Sequence, residues 1–434
     1  MRGLVAAAYA AVSFLTFVWA DAAAGNSATY QINSAHTGFV EFRNGLVPPL
    51  TKIWARDLGG DYTSYPVVAN GLVFVTEDNT KGFGKNHTTL FAIAIHTGKI
   101  VWKKNIPGDN YFSNVAYENG KIFVLNGYAV LRAFTADADG VQLWRTTLPK
   151  QQFSYAAPTA SGGQVFVTAS ADGVTLYAID EVTGIVNWKT PALKGAGGSA
   201  ATVGADGVYV TYDCQYYKFD TATGAPLWHA DRGCSSGGGA HTPVYDRGNL
   251  YVRDDRESRD DWDVVVNAAN GHIKQPMQTY ATPAFWKNPA GGSLEFTRYN
   301  SYPFGNVYAA NTRTGETVWS FSGDGHLSSA PIIVNDTLVV GSGTGELYLL
   351  DAATGEERWS TNVGAPIQFS GEQSCCETIY AGLGAGEDTL LIPASNLLAA
   401  YVSGKSRQVG DTRSPARISK KEKPEAKRLP AQRS

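Results

Sequence analysis

The sequence has no surplus of charge of either sign. Its 434 residues carry 36 Lys and Arg against 39 Asp and Glu, a formal net charge of −3, so nothing global points to a nucleic-acid partner. Cysteine is scarce, with four in all. After residue 25 no stop-transfer pattern follows, and no transmembrane helix is expected once the N-terminal segment is removed. The last thirty residues have almost no apolar side chain. From Lys405 on they hold ten basic and three acidic residues, or +7, so the rest of the chain carries about −10; residues 404–434 are expected to be a solvated, disordered tail, with an anionic surface as its alternative use.

The N-terminus has the layout of a secretory signal peptide: Arg2, the apolar run LVAAAYAAVSFLTFVWA, then small residues. Residues 1–25 are expected to be removed, with cleavage between Ala20 and Gly25, giving a secreted protein, extracellular or, in a two-membrane bacterium, periplasmic. A signal anchor is the alternative. No cysteine stands near this junction, which argues against a lipid-anchored form. The remaining chain, 43% hydrophobic and 17% charged over its whole length, is large enough for a sizeable core.

That remainder is a repeat. LYLLDAATGEERW, residues 347–359, is an alternating strand, a Thr-Gly turn and a Trp, which reads as a β-hairpin whose Gly supplies a positive φ. The same turn with an aromatic four residues on recurs in HTGKIVW ending at Trp102, ADGVQLW at Trp144, VTGIVNW at Trp188, ATGAPLW at Trp228, RTGETVW at Trp319 and ATGEERW at Trp359. In AANGHIKQ the Gly is kept at 271, but Gln275 replaces the Trp. With Trp54 as the first mark the mean period is (359 − 54)/7, about 44 residues, and an all-strand period of this length predicts a β-propeller with four strands per blade. Upstream hairpins such as YPVVANGLVFV and TPVYDRGNLYV supply strands A and B, and the Thr-Gly hairpin supplies C and D. Seven full repeats follow Trp54, three strands follow Trp359, and LTKIWARDL around Trp54 is a D strand with no A, B or C before it. The expectation is an all-β, eight-bladed propeller of four-stranded antiparallel blades over residues 26–403. An N-terminal strand at residues 50–58 should complete the last blade by pairing near residues 396–402.

The LYAIDEVTGIVNW and LYLLDAATGEERW units resemble the repeats of the pyrroloquinoline-quinone (PQQ)-like eight-bladed propellers, the superfamily shared by quinoprotein alcohol dehydrogenases and BamB-type outer-membrane assembly proteins. The resemblance covers nearly all of residues 45–403. It implies that the repeated tryptophans, Trp54, Trp102, Trp144, Trp188, Trp228, Trp319 and Trp359, dock between neighbouring blades. About activity it says little, because the superfamily holds enzymes and non-enzymes alike.

Strand alternation places the Thr-Gly turns on one face and the B-to-C turns and D-to-A crossovers on the other. On this crossover face the start of strand A reads Ser64, Ser113, Ala156, Ser199, His241, Ala281 and Ser329, a ring about the axis where bulky side chains would collide. His241 breaks the series, as a hydrogen-bonded structural histidine or a functional one. The insertion RDDRESRDDWD, residues 253–263, adds Asp254, Asp255, Glu257, Asp260, Asp261 and Asp263 as hard oxygen donors for Ca²⁺, and Trp262 as a flat surface. Its interleaved Arg253, Arg256 and Arg259 favour a solvated loop with internal salt bridges. All four cysteines fall on the same face. Cys214 and Cys234 lie in adjacent loops and form one candidate disulfide; Cys375 and Cys376 are adjacent in sequence, and pairings between the two sets stay open. The resemblance adds that a ring disulfide of adjacent cysteines marks the active site of quinoprotein alcohol dehydrogenases, although the neighbours of Cys375 and Cys376 do not match that motif.

Two functions from different classes follow. One is a secreted, monomeric, non-catalytic propeller that binds a protein or carbohydrate and needs no cofactor. The other, implied by the resemblance, is a PQQ- and Ca²⁺-dependent dehydrogenase acting on alcohols or sugars. That enzyme needs PQQ stacked on a Trp floor, Ca²⁺ held by carboxylate and amide oxygens, and an Asp base near the quinone carbonyl. No constellation fills all three roles, no CxxCH haem site is present, and the chain is short for that group. Binding is therefore the expected function, with His241, Asp254, Asp255, Asp260, Asp261 and Trp262 as the candidate surface.

Overall fold

The computed structural model describes residues 25–404, apart from 79–87, 108–112, 155, 172, 196–197, 234–240, 255–262, 278, 300–304 and 370–379, and gives only the backbone of Asp78 and Tyr299. The described residues form eight antiparallel blades in a ring, with no helix among them. Blade one runs Val67–Ala69, Leu72–Asp78, Thr88–Ala94 and Ile100–Ile106, and blade two runs Ser113–Glu118, Lys121–Asn126, Val130–Thr135 and Gln142–Thr147. Strands A to C are buried on both faces because each blade lies between two others, which is why they read as near-continuous apolar runs. Strand D is the outer edge. Gln142–Thr147 accordingly alternates between exposed and half-buried residues.

Blade eight has Gly384–Gly386, Thr389–Ala394 and Leu397–Ser403 as its A, B and C strands, and Leu50–Asp57 supplies its D strand. The register runs from Leu50 opposite Ser403 to Asp57 opposite Leu397. This is the closure expected from the strand count, and it leaves the ring without a seam of unpaired edges.

The repeat is explained at the blade interfaces. Six of the seven repeat tryptophans lay their ring on the Gly of the next blade's turn: Trp54 on Gly98, Trp102 on Gly140, Trp144 on Gly184, Trp188 on Gly224, Trp228 on Gly271 and Trp319 on Gly355; the seventh, Trp359, packs toward blade eight, whose C and D strands are not consecutive in sequence and share no such turn. A Cβ on any of these glycines would stand 2.4–2.9 Å from the ring, and all six have φ between +58° and +76°. Glycine is thus required twice, for the backbone and for the contact. The indole N–H of each of these six donates to a carbonyl of that next blade, those of Ile95, Asp137, Glu181, Thr221, Ala268 and Ala352, at 2.6–3.2 Å. The rings are half-buried rather than fully enclosed.

Residues 26–40, to which sequence reasoning assigns no role, make a circuit of the axis through hydrogen bonds that are backbone to backbone except at blade three, where Thr29 Oγ1 is the donor. Ser27 N donates to Ala385 O in blade eight, and its own carbonyl accepts from Val68 N in blade one. The circuit continues through Ala28 to Tyr117 in blade two, Thr29 to Pro158 at blade three, Ser34 to Val203 in blade four, Ala35 to Tyr245 in blade five, Thr37 to Phe285 in blade six and Gly38 to Ile333 in blade seven. Phe39–Val40 then pairs in parallel with Ile332–Val334, the A strand of blade seven. Most of these contacts fall near the ends of the A strands, so the segment closes the axis toward the Thr-Gly face. Inside it, Tyr30, Tyr65 and Tyr380 are fully buried, with Tyr30 edge-on to the other two at 5.5 and 5.2 Å between centroids. His36, also fully buried, meets the carbonyls of Tyr30 at 2.7 Å and Ala201 at 3.1 Å.

Candidate functional site at blades five and six

Blade five comprises Val244–Asp246, Asn249–Val252, Val264–Asn267 and Ile273–Pro276, and blade six Ala284–Lys287, Ser293–Tyr299, Asn306–Asn311 and Thr317–Phe321. Their interface differs from the others. Gln275 stands where the docking Trp should be, and a Cβ on Gly315 of blade six would lie 3.8 Å from its amide nitrogen, so no ring covers that turn. The apolar cluster here has four buried residues, Val244, Tyr251, Val265 and Phe285, against seven at the interface of blades four and five.

Charge occupies the space instead. Glu295 in strand B of blade six is buried, and desolvation, reinforced by the charges of Asp263 and Asp246, pushes its carboxyl up to about 8. Asp263, at the start of strand C of blade five, is raised to about 6 by desolvation. Backbone N–H groups of Asp254 and Thr279 each donate to it at 3.0 Å, and with Arg253 and His241 they oppose that rise. Arg253 donates to Thr282 Oγ1 at 3.2 Å, and that hydroxyl meets Tyr30 OH at 3.1 Å. The polar sector is therefore tied to the segment that fills the axis. Arg298 is 2% exposed. A buried charge is tolerated only when paired or hydrogen-bonded, so this chemistry is set into the fold rather than displayed on it.

Asp254 lies at the other end of the acidic insertion. It is buried, accepts from Cys214 N at 3.1 Å and from Tyr216 OH, and forms an ion pair with Arg232 of blade four at 3.0 Å. The sequence expectation of a solvated loop pairing with its own arginines needs correction at this residue, because the partner comes from the neighbouring blade and water is excluded. Asp255, Glu257, Asp260, Asp261 and Trp262 lie outside the described residues, as do Arg256 and Arg259. Cys214 is disulfide-bonded, and Cys234, Cys375 and Cys376 lie outside the described residues.

His241 is 4% exposed, and its carbonyl accepts from Ser199 Oγ at 3.1 Å and Thr211 Oγ1 at 3.0 Å. The small residues at the start of strand A have a role that crowding alone did not predict. Ser64, Ser199 and Ser329 each accept from a strand B amide twelve positions on, those of Thr76, Thr211 and Gly341, at 2.9, 3.4 and 2.9 Å. Strand B threonines then reach the next blade: Thr76 Oγ1 donates to Ser113 O and Thr168 Oγ1 to Ser199 O. These hydroxyls brace strands and are not free to line a ligand site. Glu295 and Arg298 escaped sequence reasoning. The signal was there in SLEFTRY, since strand B of a propeller is covered on both faces and a charge in it must be buried.

Tyr30, Tyr65 and Tyr380 fill the axis, and no group of three His, Cys, Asp or Glu among the described residues is placed to hold a metal ion; Asp255, Asp260, Asp261 and Trp262, on which a PQQ and Ca²⁺ site would draw, lie outside them.

Comparison with known proteins agrees with the ring. A family model described as outer membrane protein assembly factor BamB, of the PQQ type, matches residues 86–213 and 303–382. The repeat, the closure and this match bear out the resemblance to the PQQ-like eight-bladed β-propellers. It is 24% identical over 367 residues to BamB of Burkholderia pseudomallei, covering 76% of this chain and 86% of that one. It is also 26% identical over 244 residues to tetrathionate hydrolase of Acidithiobacillus ferrooxidans, covering 50% of this chain; the match spans about half, 46%, of that relative's length. Among solved structures it resembles BamB from Moraxella catarrhalis, with a TM-score of 0.59 and 18% identity over 83% of this chain and 99% of that one. It likewise resembles quinohemoprotein alcohol dehydrogenase from Comamonas testosteroni, with a TM-score of 0.64 and 14% identity over 91% and 82%. At these identities the structural likeness shows the fold alone.

Proposed function

We propose that this chain is a non-catalytic, protein-binding propeller of the cell envelope, exported by its N-terminal segment and docking its partner on the crossover face around blades four to six. The observation that carries the reading is the filled axis. The chain's own residues 26–40 bond to strands around the whole ring, and Tyr30, Tyr65 and Tyr380 occupy the place where an enzyme of this fold would need an open cavity for cofactor and substrate. Relatives named as outer membrane assembly factors support a protein partner and an envelope location, and a disulfide at Cys214 suits an oxidising compartment. The irregular sector supports the choice of surface, since the blade interface that gives up its Trp gains nothing in packing from the exchange.

The experiment that separates this reading from a quinoprotein dehydrogenase is a titration of the purified chain with PQQ and Ca²⁺, following absorbance and dye reduction with alcohols and sugars. No saturable spectral change and no turnover are expected. A stoichiometric shift with turnover would overturn the reading.

A further inference from the structure

The eight outer strands of the ring do not share charge evenly. On the D strands of blades eight, one, two and three, Leu50–Asp57, Ile100–Ile106, Gln142–Thr147 and Val186–Lys189, stand Lys52, Arg56, Lys103, Lys104, Arg145 and Lys189 against the single acid Asp57, a net +5. On those of blades four to seven, Pro226–Asp231, Ile273–Pro276, Thr317–Phe321 and Glu357–Asn362, Lys274 and Arg358 balance Asp231 and Glu357. Lysine is an ordinary guard against pairing at an exposed sheet edge, but all eight D strands are edges and half of them do without the surplus. Edge protection therefore leaves it unexplained.

The cations of this band are not neutralised within the fold. Lys103, Arg145 and Lys189, each the residue after a docking Trp, are exposed, and none forms an ion pair among the described residues. Lys52 and Arg56 donate to carbonyls, those of Val363 at 3.1 Å and Gly98 at 3.0 Å, and keep their charge. Apolar side chains stand among them. Val101 and Leu143 are the bulged residues just before Trp102 and Trp144, 36% and 45% exposed; the bulge takes them out of the ladder and aims them outward. The exposed acids of blade two, Asp137 and Asp139, stand in its Thr-Gly turn, so the band belongs to the crossover half of the rim. Gly404 N donates to Pro49 O at 2.9 Å beside the D strand of blade eight, so the basic residues 405–434 depart from one end of the same band.

We propose that this rim, centred on blades one and two, rests against the surface of a bilayer that contains anionic phospholipids. Long basic side chains reach the headgroups, and the isolated aliphatic residues between them enter the boundary with the acyl chains, the mixture that holds a peripheral protein on a membrane. The propeller as a whole is strongly negative, which sets its orientation: the band meets the anionic surface and the acidic remainder turns away from it. Blades one and two lie opposite blades five and six in the ring, so the contact is independent of the partner proposed for the crossover face.

The test is sedimentation of the full-length exported chain with vesicles of phosphatidylcholine, with and without phosphatidylglycerol, at low and physiological salt. Binding is expected to the anionic vesicles alone and should weaken as salt rises. A basic residue close to an anionic surface is worth about fivefold, so Lys103→Gln, Arg145→Gln and Lys189→Gln combined should bind at least about tenfold more weakly. Lys274→Gln, Lys287→Gln and Arg313→Gln, at exposed positions of blades five and six, remove the same charge far from the band and should together cost less than about twofold. Leu143→Asp should weaken binding, and Val318→Asp, at the exposed bulged residue of blade six, should not. Equal loss from the two triple variants would assign the binding to net charge or to the basic tail and overturn the proposal. Equal binding to vesicles without phosphatidylglycerol would assign it to the N-terminal apolar run and do the same, as would the absence of binding to anionic vesicles at low salt.

Discussion

Replacing Gly184 by Ala isolates the contact on which the blade interfaces depend. Gly184 has a φ of +72°, and an added Cβ would stand 2.6 Å from Cδ2 and 2.7 Å from Cε3 of Trp144, and 2.9 Å from Thr146 Oγ1. Two costs add. A left-handed conformation costs a non-glycine residue about 1–2 kcal/mol, and displacing a packed ring costs about 1–3 kcal/mol, so the substitution should destabilise by about 2–5 kcal/mol. Gly120 is the control: its φ is +77° and nothing lies within 4 Å of its added Cβ, so Gly120→Ala should cost only the backbone part, about 1–2 kcal/mol. Trp144→Ala removes the obstruction and the indole bond to Glu181 O, and because the ring is half-buried it should cost about 2–4 kcal/mol, somewhat under the figure for a fully buried aromatic. In that background Gly184→Ala should fall back to the control value, giving a coupling of about 1–3 kcal/mol in the double-mutant cycle. Urea unfolding midpoints at unchanged m supply the numbers. Equal costs at Gly184 and Gly120, or a cost at Gly184 that survives removal of Trp144, would refute the account of why the Gly and the Trp recur together.

Three further outcomes are expected. Burial raises Glu295 from 4.5 to about 8 and Asp263 from 3.8 to about 6, and burial with the nearby Glu181 charge raises Glu118 from 4.5 to about 7. Over that window the folded chain holds protons that the unfolded chain has lost, so stability should fall as pH climbs from about 4.5 to 8; Glu295→Gln should flatten the upper part of the melting profile, and a melting temperature that rises through the window would contradict the burial argument. Gln275→Trp restores the missing ring above Gly315 and should raise stability by about 0.5–2 kcal/mol as a filled gap; a loss on urea unfolding would mean that the interface of blades five and six is already packed to capacity. Deleting residues 26–58 removes both the axial segment and the closing strand, and should give insoluble protein by exposing two sheet edges, whereas a stable monomeric product in gel filtration would count against closure by Leu50–Asp57.

The propeller was legible because its determinants are periodic. A Gly with positive φ and a Trp four residues later must recur at every interface where one blade's ring covers the next blade's turn, and a lone D strand at Trp54 with three strands left over after Trp359 dictates the closure. Gln275 and the acidic insertion were legible as breaks in that period. The axial segment was not, because residues 26–40 bind mainly through backbone groups to strands of successive blades and leave no periodic pattern in their side chains. The serines at the start of strand A were read as small when it is their hydroxyls that matter, a bond to a residue twelve positions away that only the register between strands A and B reveals. Asp254 was read as displayed because its neighbours in sequence are charged, whereas its ion-pair partner, Arg232, belongs to another blade.

The central claim, a protein partner on the crossover face, is tested most directly by photo-crosslinking in the native host with a photoreactive residue at exposed positions on each side of the disc. Lys194 and Pro276 report on the crossover side, and Val182 and Ile185, 62% and 64% exposed at a Thr-Gly turn, report on the other. The account predicts discrete adducts with an envelope protein from Lys194 or Pro276 and none from Val182 or Ile185. Adducts from the Thr-Gly turn alone would contradict it, and would move the docking surface to the exposed apolar side chains of that face.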